Sequence, residues 1–250
     1  GEIFPMDHGS HCAGTIAAVN NNNIGLGGVA GGNGSLSSGV RLMSCQTYIP
    51  DPAYPDDPHG NSKSTSQTPD AFAYAADNGA VIVNCSFSYS GTTLSAAYKA
   101  GIDYFIDNAG IDENGNQTGP MKGGLMVASA GNDGEYNLTK YPGSYERVIN
   151  VAYSMSNYKK SPSSNYGFMI DVTAPGGATS SSYAPDRVGG IFSTAPMDSK
   201  NWHVQKGYAY KSGTSMAAPH VAGVAALILS AAVENNISLT WEKLREIILR

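Results

Sequence analysis

Charge is scarce in this sequence. Asp, Glu, Lys and Arg make up 14% of the 250 residues, and 15 basic residues stand against 20 acidic ones. No Lys/Arg-rich run occurs, which argues against a nucleic-acid partner. Low charge does not mean disorder, because 41% of the residues are hydrophobic and can build a core. Cysteine is almost absent: Cys12, Cys45 and Cys85 form no disulfide framework, and an odd number leaves at least one thiol unpaired. The cysteines therefore do not settle the compartment. The longest apolar stretch, "VAGVAALILSAAV", is too short to span a bilayer, so no membrane span is expected. No signal peptide is read in these residues, and the sequence opens abruptly at "GEIFPMDHGSH", so its true start is expected to lie elsewhere. Repeats are absent, and no shift in composition marks a second domain. One domain over 1–250 is expected.

Glycine, by contrast, is plentiful at 30 residues, which points to many tight turns. Short apolar runs rich in β-branched residues alternate with helical patterns. "GVRLMSCQTY", "AVIVNCSFS", "GGLMVASA" and "RVINVAYS" read as strands. "TPDAFAYAADNG", with Thr68 as N-cap, and "TTLSAAYKAGIDYFIDNAG" read as helices ending near a Gly. Strands that are apolar throughout need cover on both faces. The expected fold class is therefore α/β: a three-layer sandwich around a mostly parallel central sheet. Three long loops interrupt it: "YIPDPAYPDDPHGNSKSTSQ", "IDENGNQTGPMKG" and "GGATSSSYAPDRVGG".

Three segments carry candidate chemistry. In "SGTSMAAPHVAG" a small turn runs into an apolar helix with a Pro in its first turn, and exposes the hydroxyl of Ser215 where the helix begins. A serine hydroxyl is a poor nucleophile until a base takes its proton. A helix N-terminus nearby favours negative charge. The same residues also suit a plain helix cap. "HGSHCAGTIAA" offers His8 and His11 as bases. Their spacing also allows a zinc site, which needs a third ligand. In "VASAGNDG" a strand ends at a Gly, and the side-chain NH2 of Asn132 can face a developing oxyanion; an ordinary turn reads equally well from these residues alone.

Taken together and in this order, the three segments resemble the subtilase family of serine proteases. "NNNNIGLGGVA", "IVNCSFS", "YPGSYERVINVAYS" and "NYGFMIDVTAPG" are similar to that family's connecting segments, in its order. The resemblance covers nearly the whole chain apart from the long loops. It implies a subtilisin-like fold and a serine endopeptidase acting on peptides or proteins through an acyl-enzyme. It implies Ser215 as nucleophile, His8 as general base and His11 as a structural residue. Asn132 and the backbone N–H of Ser215 are implied as oxyanion donors. Ser86, Phe87 and Ser88 are implied to pair with the substrate backbone by strand addition. The family usually has Gly where Ser88 stands, which narrows the adjacent pocket. Ser129, Ala130 and Gly131 are implied as the other wall of the pocket that takes the residue before the scissile bond. The pocket reads as open and apolar, with broad specificity. Cys12 is implied as a free thiol beneath the active site, sensitive to mercurials, and Asp171 as a structural residue.

The family orders its triad Asp, His, Ser, with the Asp in an Asp-Ser/Thr-Gly context on the first core strand. This sequence contains no such tripeptide, and Asp7 is a poor orienting partner because neighbouring helical side chains diverge. The expectation is a domain truncated at its N-terminus, lacking the first core strand. That segment would be cut away, would be a separately processed chain still bound, or would be lost in a pseudo-protease. The missing segment and a propeptide are thus candidate partners. Without the acid, activity is expected to fall about 10⁴-fold. No cofactor is required, although "VNNNNIGLGG" resembles the family's calcium loop, with Asn22 and nearby carbonyls as oxygen ligands. Secretion, or a periplasmic or cell-surface site, follows from the resemblance alone. The alternative function is a catalytically impaired peptide-binding module using "CSFS" as an edge strand; a zinc enzyme built on His8 and His11 is a weaker rival.

Overall fold

A computed structural model describes residues 6–35, 38–50, 53, 62–64, 67–178, 189–197 and 206–250. Most of the Pro-rich loop after Tyr48 lies outside the described residues, as does much of the "GGATSSSYAPDRVGG" loop. Helix α1 spans Asp7–Ala17; strands β1 (Tyr48–Pro50) and β2 (Ser62–Ser64) form a small hairpin. Helix α2 (Thr68–Asp77) leads to β3 (Ile82–Cys85), and β4 (Tyr89–Ser90) to α3 (Ala96–Asn108). Then come β5 (Leu125–Ser129), β6 (Lys140–Tyr141), β7 (Ile149–Ser154) and β8 (Val172–Pro175). The chain ends with the hairpin β9 (Ile191–Thr194) and β10 (Tyr208–Lys211), then α4 (Thr214–Glu234) and α5 (Trp241–Ile248).

Strands β3, β5, β7 and β8 form the central sheet in that order, all parallel. Every residue of β5 is buried, so both faces of that strand are covered, as its unbroken apolar sequence requires. Helix α4 packs against all four strands, and α3, paired with α2, reaches β5. Ile102, Phe105 and Ile106 of α3 are fully buried in the same core as Met126, Ile149 and Ala217. Each large apolar side chain buried this way contributes about 1.5–3 kcal/mol.

The structure corrects several expectations. Of the segment 39–48 read as a strand, only Tyr48 is in one; residues 41–47 line a large cavity that β3 also lines, and without a ladder partner they take no strand geometry. The strand read from "AVIVNCSFS" is Ile82–Cys85 alone. Thr68 is the first residue of α2 rather than its cap; Gln67 holds that position, and Thr68 is buried. Pro219 is the sixth residue of α4, past the first turn. Helix α4 as a whole, at 21 residues, is long and apolar enough to cross a bilayer. Its packing across the sheet marks it as the core helix instead.

Candidate active site

The cavity has a volume of about 1710 Å³, and its lining includes His8, Ser86, Phe87, Ser88, Ser129, Gly131, Asn132 and Ser215. Folding therefore gathers residues from α1, the stretch after β3, the end of β5 and the start of α4 at one hollow. Ala130 is the exception. It is buried beneath the wall and does not line the cavity.

Ser215 is the second residue of α4. Its N–H lies in the first helical turn, where backbone donors have no intrahelical acceptor. Gly213 precedes the helix with φ +144°, and a Cβ there would stand 3.2 Å from the Asn132 amide; the turn needs glycine on both counts. The Ser215 hydroxyl donates to the Ser86 carbonyl at 3.0 Å. Pro219 stands four residues on and has no N–H to offer the Ser215 carbonyl. That oxygen instead accepts from Ser86 Oγ at 2.7 Å and Cys12 Sγ at 3.4 Å. Cys12 is a free, buried thiol, as expected. Burial, partly offset by the neighbouring Ser86 side chain, pushes its pKa up to about 11.

Asn132 is exposed at the cavity wall. Its Oδ1 accepts from the Thr214 backbone N–H at 2.8 Å and from Thr214 Oγ1 at 3.0 Å. The backbone donor fixes which end is oxygen and leaves the NH2 free to face the cavity. Thr214 Oγ1 in turn accepts from Gly131 N at 3.2 Å, although Thr214 is fully buried. Asn165, also buried, donates to the Ala130 carbonyl at 2.9 Å and accepts from the N–H groups of Asp133 and Glu135. Thr214 and Asn165 thus hold the loop that carries Asn132. Sequence reasoning missed both. The Thr sits beside Ser215 in the quoted motif, but only the fold shows that its hydroxyl turns inward.

The two histidines separate into different roles. His8 is exposed and lines the cavity, whereas its neighbour Asp7 is buried, the divergence expected of adjacent helical residues. Desolvation of its ring and then the Lys211 ammonium push its pKa below the usual imidazole value, and the exposure of His8 to solvent weakens both effects. His11 is fully buried, with Nε2 donating to the carbonyls of Ile191 at 2.9 Å and Ala209 at 3.2 Å. Through Nε2 it pins α1 to the β9–β10 hairpin. Among the described residues there is no cluster of His, Cys, Asp or Glu able to hold a metal ion.

The family model that matches this chain is the subtilase family, over residues 4–250. The chain belongs to the subtilase family. Its relatives include thermitase of Thermoactinomyces vulgaris, 34% identical over 92% of this chain and 66% of that protein. The thermophilic serine proteinase of Bacillus sp. strain AK1 is 36% identical over 94% of this chain and 46% of its own length. The extracellular basic protease of Dichelobacter nodosus is 33% identical over 99% of this chain and 35% of its own. The chain thus spans 35% to 66% of the length of these relatives. A solved protease from Pseudoalteromonas arctica superposes with a TM-score of 0.70 at 31% identity, covering 99% of this chain and 65% of that one. As a subtilase, the chain has the α/β, parallel-sheet fold that the strand pattern implied.

Asp171 keeps the structural place expected of it: its carboxylate accepts from Asn150 N at 2.8 Å and pairs with Arg245 at 2.7 Å. Asn22 Oδ1 accepts from Ile24 N at 2.9 Å, closing an exposed Asx turn within the loop read as a calcium site. Lys140 and Asp133 line the same cavity as Ser129 and Gly131.

Proposed function

We propose that this chain is the greater part of a subtilisin-like serine endopeptidase domain, in which Ser215 attacks the peptide carbonyl and His8 takes its proton. The NH2 of Asn132 and the Ser215 N–H stabilise the tetrahedral oxyanion, and an acyl-enzyme follows. The observation that carries this reading is the fixed amide of Asn132: its oxygen is tied to Thr214, and its donor end is left for the hollow shared with Ser215 and His8. In the resting arrangement the Ser215 hydroxyl is bound to Ser86 O, so it turns about its Cα–Cβ bond to meet His8 when substrate binds.

A general base must be neutral, and His8 is held below its ordinary value. The backbone of Ser86 to Ser88 binds the peptide as an added strand, and Ser129 and Gly131 form the facing wall. The protein acts outside the cytoplasm, a reading supported by the name of the Dichelobacter relative. A calcium ion at Asn22 would have to share Oδ1 with the Ile24 N–H, and a fall in melting temperature on adding EGTA would support it.

A fluorophosphonate probe applied to the full-length protein tests the mechanism. Labelling at Ser215, lost in Ser215→Ala and slowed in His8→Ala, is the expected result. A folded full-length protein that takes no label would be a peptide-binding module instead.

A further inference from the structure

A charge pair occupies the cavity wall beside Asn132. Lys140 on β6 lies across the ladder from Ser90 on β4, so both side chains leave the same face. Lys140 Nζ donates to Ser90 Oγ at 2.9 Å and to Asp133 Oδ1 at 3.2 Å, with Asp133 Oδ2 at 3.0 Å completing the ion pair. Its Cε lies 3.2 Å from where a Cβ on Gly131 would stand, so its stem crosses the backbone one residue from Asn132. The Lys140 side chain is 12% exposed and that of Asp133 40%, so the ammonium sits inward and the carboxylate at the rim.

The ammonium has three N–H groups. Ser90 and Asp133 take two; among the described residues the third has no acceptor. Asp133 is already committed, since Asn165 Nδ2 also donates to it, at 3.1 Å. Burial pushes the Asp133 carboxyl up, but its bonds to Lys140 and Asn165 outweigh that and hold it below the ordinary value, so it stays anionic.

We propose that Lys140 makes this pocket selective for a substrate side chain that ends in a carboxylate or amide oxygen, glutamate first, at the residue preceding the scissile bond. The inference rests on the catalytic reading of Ser215 and Asn132. A glutamate carboxylate accepts the remaining N–H and shares the ammonium with Asp133. A phenylalanine or leucine side chain would displace water from that N–H and offer no acceptor in return. A lysine side chain would meet the inner ammonium head-on. Sites built around a buried hydrogen-bonding group discriminate strongly against side chains that lack the partner.

The test uses the full-length protein and peptide nitroanilides that differ only at the residue preceding the cleaved bond: Glu, Gln, Phe or Lys. The expected order of kcat/KM is Glu, Gln, Phe, Lys, with Glu at least about tenfold above Phe and its advantage shrinking as salt is added. Lys140→Met should invert the Glu-to-Phe ratio, and Lys140→Arg should keep it above one. Asp133→Asn should raise the Glu rate by removing the competing carboxylate. A wild-type enzyme that takes the fluorophosphonate label but cleaves Phe as well as Glu overturns the proposal alone, as does a ratio unmoved in Lys140→Met. Should Lys140→Met not fold, the Asp133→Asn and Lys140→Arg ratios decide in the same way. A full-length protein that neither labels nor cleaves any of the four overturns the protease reading, and this one with it.

Discussion

Ser86 and Ser215 are joined head to tail. The hydroxyl of each donates to the backbone carbonyl of the other, at 2.7 Å from Ser86 and 3.0 Å from Ser215. The first bond exists because Pro219 leaves the Ser215 carbonyl without its helical donor. The second parks the proposed nucleophile against the strand-like segment that would bind substrate.

Replacing Ser86 should therefore affect the nucleophile without touching it. In Ser86→Ala the Ser215 carbonyl keeps only the weak Cys12 thiol as donor, and the start of α4 loosens. Stability should fall by about 1 kcal/mol, and fluorophosphonate labelling of Ser215 should slow about tenfold. Urea titration and labelling kinetics check the two effects separately. Equal labelling rates would mean that the reciprocal pair does not position Ser215.

Thr214 acts through Asn132. Thr214→Val removes one of the two bonds that hold Asn132 Oδ1 and leaves the Gly131 N–H without its acceptor. We expect kcat to fall about tenfold with little change in KM, and Thr214→Ser to restore it. Asn132→Leu should cost about 10²–10³ in kcat, the size known for such a donor in subtilisin itself.

His11 ties stability to pH. Burial depresses its pKa to about 3, outweighing the two carbonyls that favour the charged ring. Protonation would place a second N–H on Nδ1, which is buried and without a partner. The unfolded chain therefore binds a proton that the native state refuses. The His11 contribution is full above pH 6.5 and is lost as pH falls from there toward 3, at about 1.4 kcal/mol per pH unit. Urea midpoints measured across that window should fall with pH, and the slope should be shallower in His11→Gln.

Gly14 is where α1 meets the hairpin. A Cβ there would collide with Thr194 Oγ1 and stand 2.5 Å from Ser193 Oγ. Those hydroxyls donate to the carbonyls of Ser10 and His11. Gly14→Ala should cost about 1–3 kcal/mol by overpacking. Because α1 also carries His8, kcat should drop as well. Thermal melting and nitroanilide kinetics would show both changes; a variant with native stability would mean the hairpin yields freely.

The sequence by itself determined the parallel sheet, because strands apolar at every position need cover on both faces. The order of the serine, histidine and asparagine motifs carried a family resemblance, and that resemblance implied which segments meet. The tertiary structure alone decided what each hydroxyl and amide does there. Thr214 and Asn165 look like ordinary turn residues until folding buries them against the loop of Asn132. Lys140 lies eight residues from Asn132 in sequence, and only the pairing of β4 with β6 brings its ammonium to the pocket wall. Residues 41–47 carry a strand pattern, yet a strand is defined by its neighbours, and along the cavity they have no ladder with β3. Local pattern fixes what a segment can be; hydrogen bonds between segments distant in sequence fix what it becomes.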